Sequence, residues 1–261
     1  MLKALTSLSV VILLAATTWA QTSLTVTVEN LQPEGGLFFT PVWAGFHDGT
    51  FDVFDVGGMA SSELEAIAEG GDTAPLSTLF AGNGVDGNVA PGSPFGPAGS
   101  SFGSSASAEF VVDPMSNGYF SYASMIIPSN DAFFGNDNPL GYPLFNGMGE
   151  FDGPVVIEIL GSDIYDSGTE LNDAMGAAFS TIGGTDTSEA MPIGMHAGLD
   201  NFIGTGTANG EMIDSAFMAD TVIGRITITQ TVPEPNAAMM LLLAVPAVGF
   251  LRGRRRKPRN A

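Results

Sequence analysis

The stretch that decides the fold is YFSYASMIIPSNDAFFGNDNP, residues 119–139, because a strand-like run leads here into a dense patch of turn residues. Residues 119–127 alternate between two faces that are both largely apolar, which predicts a central strand of a sheet covered on both sides. Pro128 ends this strand, and the Asn- and Asp-rich loop that follows presents hard oxygen atoms. Asn and Asp also favour turns for backbone reasons alone, so a plain turn is the alternative.

Similar alternation marks the two ends of the central region. Residues 24–28 alternate apolar side chains with Thr25 and Thr27, and residues 226–229 do the same towards the end, so each segment is predicted to be a strand with one buried face. First and last strands of this kind often lie near each other in a sandwich. Further strands are predicted at residues 40–45, 108–112, 119–127 and 154–160.

The segments between the strands predict long loops and one short helix. Ser62 and Glu65 fit a capping box at the start of that helix, and Gly70 with Gly71 ends it. Residues 91–107 are rich in Gly, Pro and Ser, which predicts a surface loop, and residues 172–220 show only weak periodicity. The whole pattern favours an all-β fold, an antiparallel β-sandwich with a short helical insertion and long loops.

The first 20 residues have the features of a secretory signal peptide. Lys3 precedes an apolar run at residues 8–16, and the small residues Thr18 and Ala20 follow it, so cleavage is predicted after Ala20. A membrane anchor is the alternative, but the apolar run is shorter than the roughly 20 residues that a spanning helix needs.

The last 29 residues, 233–261, have three parts: a turn at Pro233, Glu234 and Pro235, an apolar segment at residues 237–251, and a strongly basic end. This ending resembles the PEP-CTERM sorting tail of bacterial surface proteins, which an exosortase-type enzyme processes. The resemblance implies that the tail anchors the chain in the membrane transiently and is then removed. A permanent single anchor is the alternative, and the basic residues predict a cytoplasmic end in either case.

Charge separates the central region from the two ends. Residues 21–232 contain 27 acidic residues and Arg225 as their one Lys or Arg, so their formal charge is −26. Such a surface repels nucleic acids and anionic lipid headgroups and attracts divalent cations. The chain has no Cys, which excludes disulfides and thiol chemistry.

No catalytic constellation stands out, and the sequence predicts that the protein is not an enzyme. Residues 99–103 (GSSFG) fit the pattern of a nucleophile elbow, but loop sequence lies on both sides instead of a strand and a helix. His47 and His196 are the two histidines, so a typical structural zinc site is excluded, and His47 is predicted to serve packing. No phosphate-binding or dinucleotide-binding glycine motif is present.

Calcium is the cofactor that the acidic loops favour. Asp131 follows the central strand, and Asp166 and Glu170 flank the turn after the strand at residues 154–160. If these strands end at the same edge, the three carboxylates converge and offer the oxygen ligands that Ca²⁺ prefers. The alternative is three solvated turn acids. The spacing is not that of an EF-hand, and the possible further ligands are Asn130, Asp137 and Asp163.

Three motifs, in order along the chain, resemble the spondin amino-terminal domain: FFTPVWAGFHDGTFDVFDVG at 38–57, SYASMIIPSNDAFFGNDNP at 121–139 and YDSGTELN at 165–172. The resemblance implies a β-sandwich related to the synaptotagmin-type calcium-binding domains. It also implies that Asp131, Asp166 and Glu170 correspond to the metal-binding carboxylates of the family. Glu170 stands where animal members have Asp, and Ala132 where they have Trp.

Together these observations predict an exported cell-surface or extracellular-matrix protein that binds calcium and acts by adhesion or interaction. The predicted partners are calcium, an extracellular polysaccharide or surface protein, and the exosortase-type processing enzyme, with no nucleic acid. The alternative is a carbohydrate-active enzyme or lectin-like module that acts on secreted polysaccharide.

Overall fold

The computed structural model of the protein describes residues 21–90, 92–173, 175–182, 186–196, 199–215 and 218–231. Within these ranges the chain forms eleven strands, two short α-helices and two single 3₁₀ turns. In chain order, the strands are β1 (Thr22–Asn30), β2 (Phe38–Phe39), β3 (Val42–His47), β4 (Gly84–Val89), β5 (Ser105–Val112), β6 (Tyr119–Ile127), β7 (Ala132–Gly135), β8 (Val155–Leu160), β9 (Ile164–Asp166), β10 (Gly194–Met195) and β11 (Val222–Gln230). The helices are α1 (Ser62–Gly70) and α2 (Ala74–Phe80), and the 3₁₀ turns are Gly161–Asp163 and Asp200–Phe202.

The predicted central strand is present with its predicted bounds, as β6. It lies inside the larger sheet, whose order is β10-β9-β7-β6-β3-β4, with β2 also paired to β6. Every residue of β6 after Tyr119 is buried. The prediction that both faces of this strand are covered is therefore confirmed.

The first and last strands of the described region are neighbours in the smaller sheet. This sheet has the order β5-β1-β11-β8, and β1 pairs antiparallel with β11 from Leu24 opposite Gln230 to Asn30 opposite Gly224. Apolar side chains of both strands, such as Val26 and Ile228, point into the core, while the Thr residues between them lie on the outer face. The alternation in the sequence thus predicted both the strands and their buried faces correctly.

Two cores hold the layers together and confirm the predicted all-β sandwich. The main core lies between the sheets and joins Val28 and Ile226 of the smaller sheet to Phe46 and Phe120 of the larger one. The second core lies on the other face of the larger sheet, where the two helices cover it. Its buried members include Trp43, Ala123 and Phe133 from strands and Leu64, Ile67 and Phe80 from helices.

Helix α1 is present, but its predicted cap is wrong by one residue. Ser61, not Ser62, is the N-cap, and its side-chain oxygen accepts a hydrogen bond from the Leu64 backbone N–H at 3.2 Å. Both serines can cap a helix, so the sequence alone does not separate them. Gly71 ends the helix in the left-handed conformation, with φ = +65°, as its position predicts.

Two segments predicted to be loops are more ordered than expected. The segment after Pro128 contains β7, because Phe133 and Phe134 pack into the two cores on opposite faces of the sheet. The predicted surface loop at residues 91–107 contains the buried Phe95, whose backbone pairs with Phe39, and its end belongs to β5. In both places tertiary burial outweighs the local preference of Gly, Ser and Asn for loops.

The predicted processing segments lie outside the described residues. These are the signal peptide at residues 1–20 and the sorting tail at 233–261 with its hydrophobic segment at 237–251. Within the described ranges, no helix is long and apolar enough to cross a membrane.

Candidate metal centre

The candidate site forms where the turn between β6 and β7 meets the end of β9. Strands β7 and β9 are antiparallel neighbours, and Ala132 lies opposite Asp166 in their register. Asp131 therefore stands next to the turn that begins at Asp166, and the Ser167 backbone N–H donates to the Asp131 backbone carbonyl at 3.3 Å. The sequence left open whether the central strand and the strand at residues 154–160 end at one edge. These strands, β6 and β8, belong to different sheets, and the pairing of β7 with β9 brings Asp131 and Asp166 together instead.

Asp131 is at the centre of this site and is fully buried, with 0% of its surface exposed. Its Oδ2 accepts three hydrogen bonds, from the Ser167 hydroxyl at 2.9 Å, the Thr169 N–H at 3.0 Å and the Glu170 N–H at 3.1 Å. Its Oδ1 is buried and has no hydrogen-bond partner. A buried carboxylate oxygen is costly to leave unsatisfied, so a cation or a proton bound at this atom would stabilise the folded state.

The turn that binds Asp131 depends on a glycine. Gly168 has φ = +72°, and a Cβ atom at this position would lie 2.2 Å from the Met191 backbone carbonyl. The Met191 N–H also donates to the Gly168 carbonyl at 2.9 Å. Only glycine combines a positive φ with so close an approach to another backbone, which explains why position 168 is Gly.

Asp166 is held from two sides. Its Oδ1 accepts a hydrogen bond from the Gly168 N–H at 2.7 Å, and its Oδ2 accepts one from the Asn172 side-chain amide at 2.6 Å. His196 lies behind that amide, because its Nε2 is 3.0 Å from the Asn172 Oδ1. Asn172 and His196 therefore position the Asp166 carboxylate. The sequence did not indicate this role for His196, because His196 lies 24 residues from Asn172.

The electrostatics of the site favour protonation when no cation is present. Burial, and then the charge of Asp131, raise the pKa of Asp166 to about 6. Burial, and then the charges of Glu69 and other acids, raise the pKa of Glu170 to about 7. Glu170 is only 6% exposed, so water screens these repulsions poorly.

Helix α1 adds a fourth carboxylate that the sequence did not indicate. The pKa of Glu69 is raised, mainly by burial, although a hydrogen bond with the Thr169 side chain lowers it in part. The charge of Glu69 is in turn the first of those that act on Glu170. The last turn of α1 thus reaches the candidate site.

The donor set fits a hard cation such as Ca²⁺, although the side chains do not form a finished coordination shell. Asp131, Asp166 and Glu170 are neighbours, and all offer oxygen, the ligand that Ca²⁺ prefers. Among the described residues, however, no three His, Cys, Asp or Glu side chains converge closely enough to hold a metal as they stand. The unpartnered Asp131 Oδ1 is the observation that fits a cation best.

Each of the three further ligands considered from the sequence accepts a backbone hydrogen bond in the structure. Asn130 borders the site, and its side-chain oxygen accepts from the Asp173 N–H at 3.2 Å. Asp137 accepts from the Val56 N–H at 3.0 Å, and Asp163 accepts from the Leu160 N–H at 2.8 Å.

His47 is buried as predicted, with its Nε2 2.9 Å from the Ser121 hydroxyl.

Comparison with known proteins bears on the first half of this arrangement. No curated protein matches the chain. The family model described as Spondin_N matches residues 13–141, just under half of the chain, and this match includes β1 to β7 and Asp131. Asp166 and Glu170 lie beyond the matched part. Across residues 13–141, the chain therefore carries the sequence pattern of the spondin amino-terminal domain family.

Proposed function

We propose that the protein is an extracellular interaction module whose β-sandwich binds Ca²⁺ through Asp131, Asp166 and Glu170. The similarity to spondin amino-terminal domains supports an extracellular interaction role. The metal would neutralise the carboxylates of the turn and fix the loops around them. Its function here is binding, not catalysis.

The observation that carries the proposal is the fully buried Asp131 carboxylate with one unpartnered oxygen beside two carboxylates of raised pKa. In the described part of the chain, the one Lys or Arg is Arg225, which pairs instead with Glu158 at 3.3 Å and Glu29 at 3.8 Å. No Lys or Arg side chain of that part is therefore left to neutralise the site. A divalent cation would do so with oxygen ligands alone.

The test is a calcium titration followed by thermal unfolding in 1 M sodium chloride, where diffuse ion binding is largely screened. A ligand that binds only the native state stabilises it by about 2.7 kcal/mol at a hundredfold excess over Kd. We therefore expect millimolar Ca²⁺ to raise the Tm by several degrees. Asp166→Asn or Glu170→Gln should remove most of this rise, and Glu69→Gln part of it.

The matched control is Glu109→Gln, which removes one exposed acid on β5 in the smaller sheet. This variant should keep the full calcium response. If the parent, the site variants and the control all respond equally, the cations bind diffusely and the site assignment is wrong.

We further propose that the chain is exported and that its tail anchors it transiently before an exosortase-type enzyme removes it. The signal-like residues 1–20 and the motif at 233–235 support this, together with the basic end at 252–259. Intact-mass measurement on protein extracted from the cell surface should give a chain that begins at Gln21 and lacks the basic end. A surface form that retains Arg252 to Arg259 would contradict removal of the tail.

A further inference from the structure

A cleft of about 480 Å³ lies at the end of β1, away from the residues of the candidate metal centre. Its walls come from three segments, at residues 34–36, 97–101 and 211–214. Each of the first and third segments carries carboxylates, so Glu34, Glu211 and Asp214 all line the space. We refer to this feature as the acidic cleft.

Two of the carboxylates are held in place by the walls of the acidic cleft. Glu211 Oε1 accepts hydrogen bonds from the Ser101 hydroxyl at 2.7 Å and N–H at 2.9 Å, and from the Ser100 hydroxyl at 3.1 Å. Asp214 packs over Gly35, where a Cβ atom would lie 1.7 Å from the carboxylate Oδ1. Gly35, with φ = +77°, is thus the residue that lets this carboxylate close the cleft.

An apolar notch of about 90 Å³ adjoins the acidic cleft. Phe38 lines both spaces, and the consecutive residues Ser101 and Phe102 line one each. The other apolar side chains of the notch are Pro94, Ile127, Pro128, Phe179 and Ala208. The two spaces are therefore neighbours with Phe38 as a shared wall, one acidic and the other apolar, and we refer to the pair as the groove.

Phe179 gives the notch an exposed aromatic rim. Its side chain is 44% exposed, and its backbone is left-handed with φ = +58°. An aromatic residue rarely adopts this conformation, because its Cβ atom crowds the following carbonyl. The structure maintains it through flanking bridges at Ala178 and Ser180 and a hydrogen bond from the Ala208 N–H to the Phe179 carbonyl.

We propose that this groove binds a Lys- or Arg-bearing segment of a partner polypeptide, with the cationic head in the acidic cleft and aliphatic or aromatic groups in the notch. Charge complementarity supports this occupant, since the three carboxylates face no basic side chain within the described ranges. Lys and Arg also combine an apolar stem with a charged head, which suits a groove of this composition. A bare metal ion would use the acidic cleft and leave the notch exposed.

None of Asp131, Asp166 and Glu170 lines the groove, so the proposed peptide contacts include no ligand of the proposed calcium site. Peptide binding can therefore be measured in EDTA, where failure of the calcium proposal has no effect on the outcome. The probe is a fluorescent peptide of sequence Gly-Lys-Phe-Lys-Leu-Gly in 0.15 M sodium chloride, followed by anisotropy. Two matched peptides replace either both Lys by Glu or the Phe and Leu by Ser.

Three variants of the full chain test the two parts of the groove. The double variant Glu34→Gln with Asp214→Asn removes two charges, and Phe179→Asn removes the ring but keeps a residue that tolerates the left-handed conformation. The control, Glu109→Gln with Asp220→Asn, removes two exposed charges outside the groove. Circular dichroism and the Tm establish that each variant is folded.

We expect the Lys-Phe-Lys-Leu peptide to bind about tenfold more weakly to the double carboxylate variant and to Phe179→Asn, with little change for the control. Both matched peptides should bind weakly to the parent. Equal binding by all variants would mean diffuse attraction to an acidic surface and would overturn the proposal. Loss in the carboxylate variant alone would overturn it too, since the notch would then have no part.

Discussion

Three carboxylates from two adjoining turns meet at the candidate site, and Glu170 is the one whose protonation bears most directly on stability. Its pKa rises from an ordinary 4.5 to about 7, because burial and neighbouring negative charges disfavour the ionised form. The folded state therefore binds this proton more tightly than the unfolded chain does. It follows that metal-free protein loses stability as pH rises from about 4.5 to about 7.

The variant Glu170→Gln should remove this loss. In EDTA at pH 8, we expect its Tm to exceed that of the parent by several degrees, since one unit of pKa is worth about 1.4 kcal/mol. At pH 4.5 the two proteins should differ little. Burial lowers the pKa of His47 below 6.5, which destabilises both proteins alike as pH falls and so cancels in the difference.

Saturating Ca²⁺ should reverse the sign of this effect at pH 8, because the metal converts a repelled carboxylate into a ligand. The variant would then have the lower Tm. Thermal scans of both proteins in EDTA and in Ca²⁺ give all four values. A variant that is less stable than the parent in EDTA at pH 8 would contradict the raised pKa, whatever its calcium response.

At the scale of elements, the sequence predicts those parts whose pattern is local. The strand β6 was predicted with correct bounds because both of its faces are apolar. The helix α1 was predicted, with its cap one residue too late, because a capping-box pattern and a double Gly mark its two ends. By contrast, β4 (GVDGNV) has no apolar alternation and is a strand because it pairs with β3. Pairing of this kind depends on tertiary contacts, which local propensity does not report.

The same distinction applies to the candidate site. Asp131, Asp166 and Glu170 could be predicted because turn acids and family-like motifs mark them in the sequence. Glu69 and His196 could not, since only the packing of α1 and of the loop after β10 brings them near the turn. No spacing within the sequence connects these two residues to Asp131.

The adjacent glycines at the end of α1 allow a matched test of the helix cap. Gly71 is left-handed, and a Cβ atom there would lie 2.6 Å from the Thr40 Cγ2. Gly70 belongs to the helix and has open space around its would-be Cβ atom. Gly71→Ala should therefore destabilise the protein by roughly 1–2 kcal/mol, whereas Gly70→Ala should be neutral or stabilising by up to about 1 kcal/mol.

Urea unfolding of the two variants and the parent measures both changes. An equal loss in the two would mean that the helix end tolerates no side chain at all, and no loss in Gly71→Ala would mean that the cap relaxes. Because Glu69 lies in the same turn, Gly71→Ala should also weaken the calcium response, and Gly70→Ala should not.

At the scale of the whole molecule, the dominant property is an unbalanced negative charge. The body of 21–232 carries 27 acids against Arg225, and its fold brings some of them close together, as around Glu170 and around the acidic cleft. Like charges confined in a compact state repel one another more than in the expanded unfolded chain. The region of residues 21–232 would therefore gain stability from any salt that screens its carboxylates or any cation that binds them.

We therefore expect sodium chloride to stabilise the protein even when EDTA removes divalent cations. The Debye length falls from roughly 30 Å at 0.01 M salt to roughly 3 Å at 1 M, so repulsion between exposed acids is largely removed over this range. The Tm at pH 8 should rise steadily between these limits. At pH 4, where carboxylates are partly protonated, the rise should be distinctly smaller. An equal rise at both pH values would show that salt acts through general exclusion from the surface, and a constant Tm at pH 8 would show that the acids are too far apart to destabilise the fold.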